Sequence, residues 1–196
     1  IEVNGNKCTV PKLEDVINVC KGKIKLNIEI KTGNNDSEDF VSDVVKIIEN
    51  TDFVDKCVVT SLDYRALRKV KECNPKIKTG YIMAVAMGDF YDLPCVDFFR
   101  METTFVNGRV VERAHKLNKE IHVWTVNDDD SLKKCVELEV DNIITDNVAG
   151  AKSAIATHGD DVFSIVLNQL KESDNSKENI KKTNRILEDV TGIEGA

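Results

Sequence analysis

The sequence predicts an α/β fold built on a parallel sheet, and three observations carry that reading. Short apolar runs recur along the chain, amphipathic helical stretches fill the intervals, and several runs end in a polar side chain. Strands that alternate with helices imply crossover connections, which join parallel neighbours. Such a sheet is covered on both faces and places its chemistry at the carboxyl ends of its strands.

The first run, Leu26 to Lys31, sets Leu26, Ile28 and Ile30 on one face and Asn27, Glu29 and Lys31 on the other. With both faces covered, Glu29 and Lys31 are buried or semi-buried charges. These need a partner, a metal or an anionic ligand, because an unpaired buried charge is strongly unfavourable. Taken alone, the segment also fits an amphipathic antiparallel strand with both charges in water.

The later elements favour the parallel arrangement. Val58–Ser61 reads as a strand, followed by a helix from Asp63 to Cys73 with Ala66, Leu67, Val70 and Cys73 on its apolar side and Pro75 as its stop. Thr79–Met83 is the next strand, and Val96–Glu102 is a weaker one. A helix from Glu112 to Asn118 leads to the strand His122–Asn127. Ser131–Leu138 reads as a helix capped by Ser131 or Asp130, and Asn142–Asp146 as a last strand. Polar residues close these runs at Glu29/Lys31, Ser61/Asp63, Glu102, Asn127 and Asp146. Helix capping accounts for Asp63 and for Asp128 to Asp130. Glu29, Lys31 and Trp124 have no such structural explanation.

Four segments, taken in order, resemble the glycerophosphodiester phosphodiesterases. They are LNIEIK (Leu26–Lys31), VTSLDYRALRKVK with Asn74-Pro75 (Val59–Lys71), HVWTVN (His122–Asn127) and VDNIITD (Val140–Asp146). The likeness is closest to members fused to a multi-spanning membrane region and runs from about Pro11 to about Thr157. It implies a (β/α)8 barrel and hydrolysis of glycerophosphodiesters to glycerol 3-phosphate and an alcohol with a divalent cation, Mg2+ or Ca2+. It also implies that Glu29 is a metal ligand, that Lys31 contacts the phosphate and that Trp124 lines the glycerol pocket. Glu102 falls on a strand end where the membrane-fused members tend to carry Glu, and is assigned to substrate binding. A hard cation suits carboxylate oxygens and polarises a phosphoryl group, while a lysine two residues on meets the same anion as a point charge.

The chain also departs from that pattern. The family's His-Arg-Gly strand, its Pro-Glu-Asn-Thr segment, its second strand of metal-binding acids and its His-Asp pair have no counterpart here. About six of the eight barrel strands can be placed, roughly the third to the eighth, and a complete barrel takes about 250 residues against 196 in this chain. The fold expected is therefore an incomplete (β/α)8 barrel over residues 1–158 with a helical tail over 159–196. The start at Ile1 suggests that residues precede it, and any membrane region would lie among them. His115 is expected to pack on or near the sheet, His122 to begin its strand at the end away from the site, and His158 to follow the last barrel helix. None of these is placed for acid or base work. The chain alone is thus expected to be inactive as a phosphodiesterase, with no cation necessarily bound. The alternative is a non-catalytic module that binds a phosphorylated ligand or a protein.

The rest of the composition narrows the partners. A net charge of −7 without a basic cluster argues against nucleic acid, so the substrate expected is a small glycerophosphodiester held locally. No apolar run reaches the roughly 18 residues a membrane span needs. Six cysteines, at 8, 20, 57, 73, 95 and 135, lack the paired spacing of a zinc site. Cys57, Cys73 and Cys135 read as small buried thiols.

In the tail, Val162, Phe163, Ile165, Val166, Leu167 and Leu170 suggest a short apolar helix, and residues from about Ser176 to Val190 a second one. A helical hairpin covering the incomplete barrel is preferred to a dimerisation arm, since Phe163 and its neighbours would otherwise form an exposed patch. The open edges at the IEIK and IITD strands invite either that cover or self-association.

Overall fold

The computed structural model of the chain describes residues 9–157, except Asn35 and 84–89, together with the backbone of residues 2–3 and 6–7. His158 and the two tail helices lie outside the described residues. Two short strands, β1 (Glu2–Val3) and β2 (Asn6–Lys7), pair antiparallel. The alternation that follows is the one the sequence predicts. It runs α1 (Leu13–Cys20), β3 (Leu26–Glu29), α2 (Phe40–Asn50), β4 (Cys57–Ser61), α3 (Tyr64–Cys73), β5 (Lys78–Met83), β6 (Phe98–Glu102), α4 (Gly108–Lys116), β7 (Glu120–Trp124), α5 (Asp129–Glu137) and β8 (Asn142–Ile143). The six parallel strands β3 to β8 follow one another in chain order, the α/β arrangement of an incomplete (β/α)8 barrel. Two compact units divide the chain, Ile1–Met101 with Arg113–Glu120, and Glu102–Glu112 with Ile121–Ala196.

In the first unit the two faces of the sheet differ in kind. Toward the helices, Ile30, Cys57 and Val59 pack with Ile17, Val45, Ile48, Phe53, Val70 and Ile77 into the hydrophobic core. On the other face the register aligns Glu29 with Thr60, Thr60 with Gly80 and Gly80 with Phe98. The Phe98 ring lies over Gly80, where a Cβ would come within 2.1 Å of Phe98 Cε2, so only glycine fits there. Thr60 is fully buried, and its hydroxyl donates to Asn27 Oδ1 at 2.8 Å. At the amino end of the strands Lys78 pairs with Glu120 and lies 5.9 Å from the Phe98 ring centroid.

Local chemistry sets the helix starts. Asp63 caps α3 by accepting from the Arg65 amide at 2.9 Å, as expected. Asp128 caps α5 through the Ser131 amide at 2.9 Å, so the cap lies upstream of Ser131 and Asp130. The carboxylate of Asp128 has the reach to the third amide that those two residues lack from within the helix. Helix α4 begins earlier than the apolar pattern indicates, because Asn107 Oδ1 accepts from the amides of Arg109 (3.1 Å) and Val110 (3.2 Å).

Several expectations are corrected here. His115 is exposed on α4, since Val111 and Ala114 take the inward positions of that helix. His122 is buried at the middle of β7, because the strand starts at Glu120. Cys73 is exposed at the last residue of α3, where the helix has turned past its apolar side. Cys57 and Cys135 are buried as expected, and burial pushes both thiols up to about 11. A thiol reagent at pH 8 should therefore label Cys73 well before Cys57 or Cys135, because thiolate and access are both scarce at the buried sites. Peptide mapping of a time course checks this, and equal labelling of Cys135 would contradict the packing.

Candidate functional site

The carboxyl end of β3 brings Glu29 and Lys31 together. Strand β3 ends at Glu29, so Lys31 lies just beyond the regular alternation and its side chain is 81% exposed, not semi-buried as the extended strand pattern implies. The Glu29 side chain is 30% exposed. Lys31 Nζ lies 3.8 Å from Glu29 Oε1, and Arg100 Nη1 donates to Glu29 Oε2 at 3.2 Å. Arg100 comes from β6, and its side chain is only 18% exposed.

The residues after Lys31 line an open cavity of about 400 Å3, with Thr32 and Gly33 on one side and Asp63, Arg65 and Lys69 on another. Thr32 Oγ1 donates to Asp63 Oδ2 at 3.1 Å, which ties the chain leaving β3 to the start of α3. The hydrogen-bonded Arg65 guanidinium beside Asp63 holds its carboxyl below the usual range. Gly33 is fixed in turn by its amide, which donates to Asp36 Oδ2 at 2.6 Å.

Glu102 and Trp124 stand in the second unit. The Glu102 carboxylate caps the short turn Thr103–Phe105, accepting from the Thr104 amide at 3.2 Å and from the Thr104 hydroxyl. Thr103 Oγ1 donates to the Trp124 carbonyl at 3.3 Å, and Lys134 Nζ to the Thr103 carbonyl at 3.0 Å. Trp124 is half-buried at the end of β7, and the Trp124–Thr125 peptide is cis.

The polar ends of β7 and β8 engage each other. Asn127 Nδ2 donates to Asp146 Oδ2 at 2.8 Å, while Asn127 Oδ1 accepts from the Asp146 amide at 3.0 Å and from Thr145 Oγ1 at 3.1 Å. These motif residues therefore close the sheet end. Sequence reading gave no signal for Arg100, because its partner lies 71 residues away and its own strand is weakly patterned.

The residues as placed do not fit a resident divalent cation. Glu29 is the carboxylate offered, each of its oxygens already faces a cation, and no cluster of three or more His, Cys, Asp or Glu occurs among the described residues.

The comparisons with known proteins agree on one family. Residues 1–149 match the model of the glycerophosphoryl diester phosphodiesterase family. A glycerophosphodiester phosphodiesterase of Caldanaerobacter subterraneus subsp. tengcongensis is 24% identical over 142 residues, covering 70% of this chain and 58% of the relative. Among solved structures, a glycerophosphodiester phosphodiesterase from Parabacteroides distasonis superposes with a TM-score of 0.71 at 17% identity, covering 81% of this chain and 69% of that one. An Oleispira antarctica phosphodiesterase in complex with the product sn-glycerol-3-phosphate gives 0.67 at 20% identity, covering 74% and 61%. The chain thus spans little more than half the length of the bacterial relative, and 43% of a similar protein from Arabidopsis thaliana.

Proposed function

Because the chain belongs to the glycerophosphoryl diester phosphodiesterase family, we propose that it forms the phosphate-binding part of an enzyme that hydrolyses glycerophosphodiesters to glycerol 3-phosphate and an alcohol. The observation that carries this reading is the Glu29–Lys31 pair at the carboxyl end of β3, where parallel α/β folds bind ligands. Lys31, largely exposed beside Glu29, meets the phosphate as a point charge. Within the second unit, Trp124 at the end of β7 is the candidate apolar contact for a glycerol moiety, and Glu102 at the end of β6 a candidate hydroxyl acceptor. The cavity beyond Thr32 gives room for the alcohol.

A second reading, a phospho-ligand-binding module without turnover, is favoured by the histidines. Among the described residues, His115 is exposed on α4 and His122 is buried at mid-strand, and neither stands at the carboxyl end of a strand. Proton transfer requires hydrogen-bond reach of the reacting group.

Titration of sn-glycerol 3-phosphate into the 196-residue chain tests the common core of both readings. Lys31→Ala should weaken binding roughly two- to fivefold, since an exposed charge contact is worth up to about 1 kcal/mol. An unchanged affinity would remove Lys31 from the site. Turnover of a glycerophosphodiester by the same chain would select the enzyme, and binding without turnover the module.

A further inference from the structure

We infer that the outer edge of β3 is an interaction surface whose partner is a second copy of this chain, paired with it antiparallel about Asn27. The inference does not rest on the function proposed above, although the pairing brings Lys25 of the second copy beside Glu29.

Strand β3 stands at the end of the six-stranded sheet. It pairs with β4 on one side, and among the described residues no strand pairs with it on the other. The Ile30 amide donates to the Thr60 carbonyl at 2.8 Å, and Glu29 lies opposite Thr60. In a parallel ladder this register turns the backbone groups of Leu26, Ile28 and Ile30 toward β4 and those of Lys25, Asn27 and Glu29 away from it. Asn27 and Glu29 alternate as the exposed residues of the strand, and Lys25 just before it is exposed too. The apolar side is short of cover as well. Toward the helices, Cys57 and Val59 of β4 are buried, whereas their neighbours Leu26 and Ile28 are only partly so and Ile24 is 61% exposed.

The sequence identifies the occupant, because the strand is complementary to itself about Asn27. An antiparallel copy centred there sets Lys25 against Glu29 and Glu29 against Lys25, so opposite charges face each other on both sides of the axis. On the other face Leu26 meets Ile28, Ile28 meets Leu26, and Ile24 adjoins Ile30. Residues 25, 27 and 29, whose backbone groups point outward, are then the ones that oppose one another, as the hydrogen-bonded pairs of an antiparallel ladder require. Moving the register by two residues in either direction breaks the match, since Lys25 then faces Lys31 or Asn27. A lysine on an open edge ordinarily repels a second strand, but here the twofold arrangement places a carboxylate opposite it. Glu29 lies 3.8 Å from Lys31 through Oε1, and a carboxylate oxygen has two acceptor sites, so a further ammonium can join.

Charge reversal tests the pairing. In Lys25→Glu both facing pairs become like-charged, and in Glu29→Lys they do so with the other sign. Each variant should therefore dimerise at least about fivefold more weakly than the unsubstituted chain. Mixed with each other, the two variants again set opposite charges at both positions and should associate about as tightly as the unsubstituted chain. Circular dichroism identifies any variant that fails to fold. Should Glu29→Lys do so, Lys25→Pro takes its place: it removes an outward-facing amide at an exposed position just before the strand and should weaken association to a similar extent.

Sedimentation velocity of the whole 196-residue chain across a concentration series, with amide exchange followed at Asn27 and Glu29, separates the outcomes. A dimer that protects those amides, weakens on substitution and re-forms in the mixture of variants supports the inference. A dimer indifferent to Lys25→Glu or Lys25→Pro, or not restored by mixing folded variants, joins through another surface and overturns it. A monomer overturns it as well: slow exchange at Asn27 and Glu29 would then mean cover from within the same chain, and fast exchange an edge that stays open.

Discussion

Phe98→Ala should lower the stability of the chain by about 3–5 kcal/mol, the largest effect expected of any single truncation here. For a protein of this length that corresponds to a fall in Tm of roughly 6–20 °C, measurable by thermal denaturation. The ring is fully buried, and its neighbour on the adjacent strand is a glycine. No side chain at Gly80 can move into the hole, so the cavity term remains nearly whole. Lys78, which lies over the ring and pairs with Glu120, loses its apolar support at the same time. The converse substitution is informative too. Gly80→Ala overpacks the wild-type ring at 2.1 Å and should cost about 1–3 kcal/mol. In the Phe98→Leu background the same methyl group should cost much less, since the two positions share one volume. Additive costs in that double-mutant cycle, or a loss below about 1 kcal/mol for Phe98→Ala, would contradict the packing of this face.

The parallel sheet and its polar ends were legible in the sequence because they depend on local pattern. Apolar runs such as Val58–Ser61 and Thr79–Met83 fall on β4 and β5 within a residue. Helix α2 is harder to read: its apolar residues Val41, Val44, Val45, Ile47 and Ile48 are all β-branched, which locally favours strand as much as helix. Packing on α1, α3 and the sheet decides the matter, and packing is not a local property. The same distinction runs through the site. Glu29 and Lys31 announce themselves as charges at a strand end, whereas the guanidinium that engages Glu29 comes from a strand whose alternation is blurred by Phe98 and Phe99 in succession. The register aligns Glu29 with Thr60, Gly80 and Phe98, and Arg100, two residues beyond Phe98, reaches back to the carboxylate.

Asn127→Ala should destabilise the end of β7 by about 1–2 kcal/mol, with little effect on ligand affinity. Its side chain makes three hydrogen bonds, donating to Asp146 Oδ2 and accepting from the Asp146 amide and the Thr145 hydroxyl. The groups are exposed, so water can replace part of what is lost, and the cost should stay well below that of three buried bonds. Asp146→Ala should be nearly as damaging, and the double variant less than the sum, because both substitutions delete the same contact. Thr145 carries the effect further. Its hydroxyl also accepts from the Asn147 amide at 3.1 Å, and Asn147 Oδ1 accepts from the Gly150 amide at 2.9 Å at the start of the helical residues 148–157. Loss of Asn127 should therefore loosen that helix start, visible as faster amide exchange at Gly150 and Ala151. The outcome bears on how the two motifs are understood. If glycerol 3-phosphate affinity falls in Asn127→Ala while stability and exchange stay unchanged, the residue serves the ligand. If stability falls alone, Asn127 of the WTVN segment and Asp146 of the IITD segment hold the strand ends together.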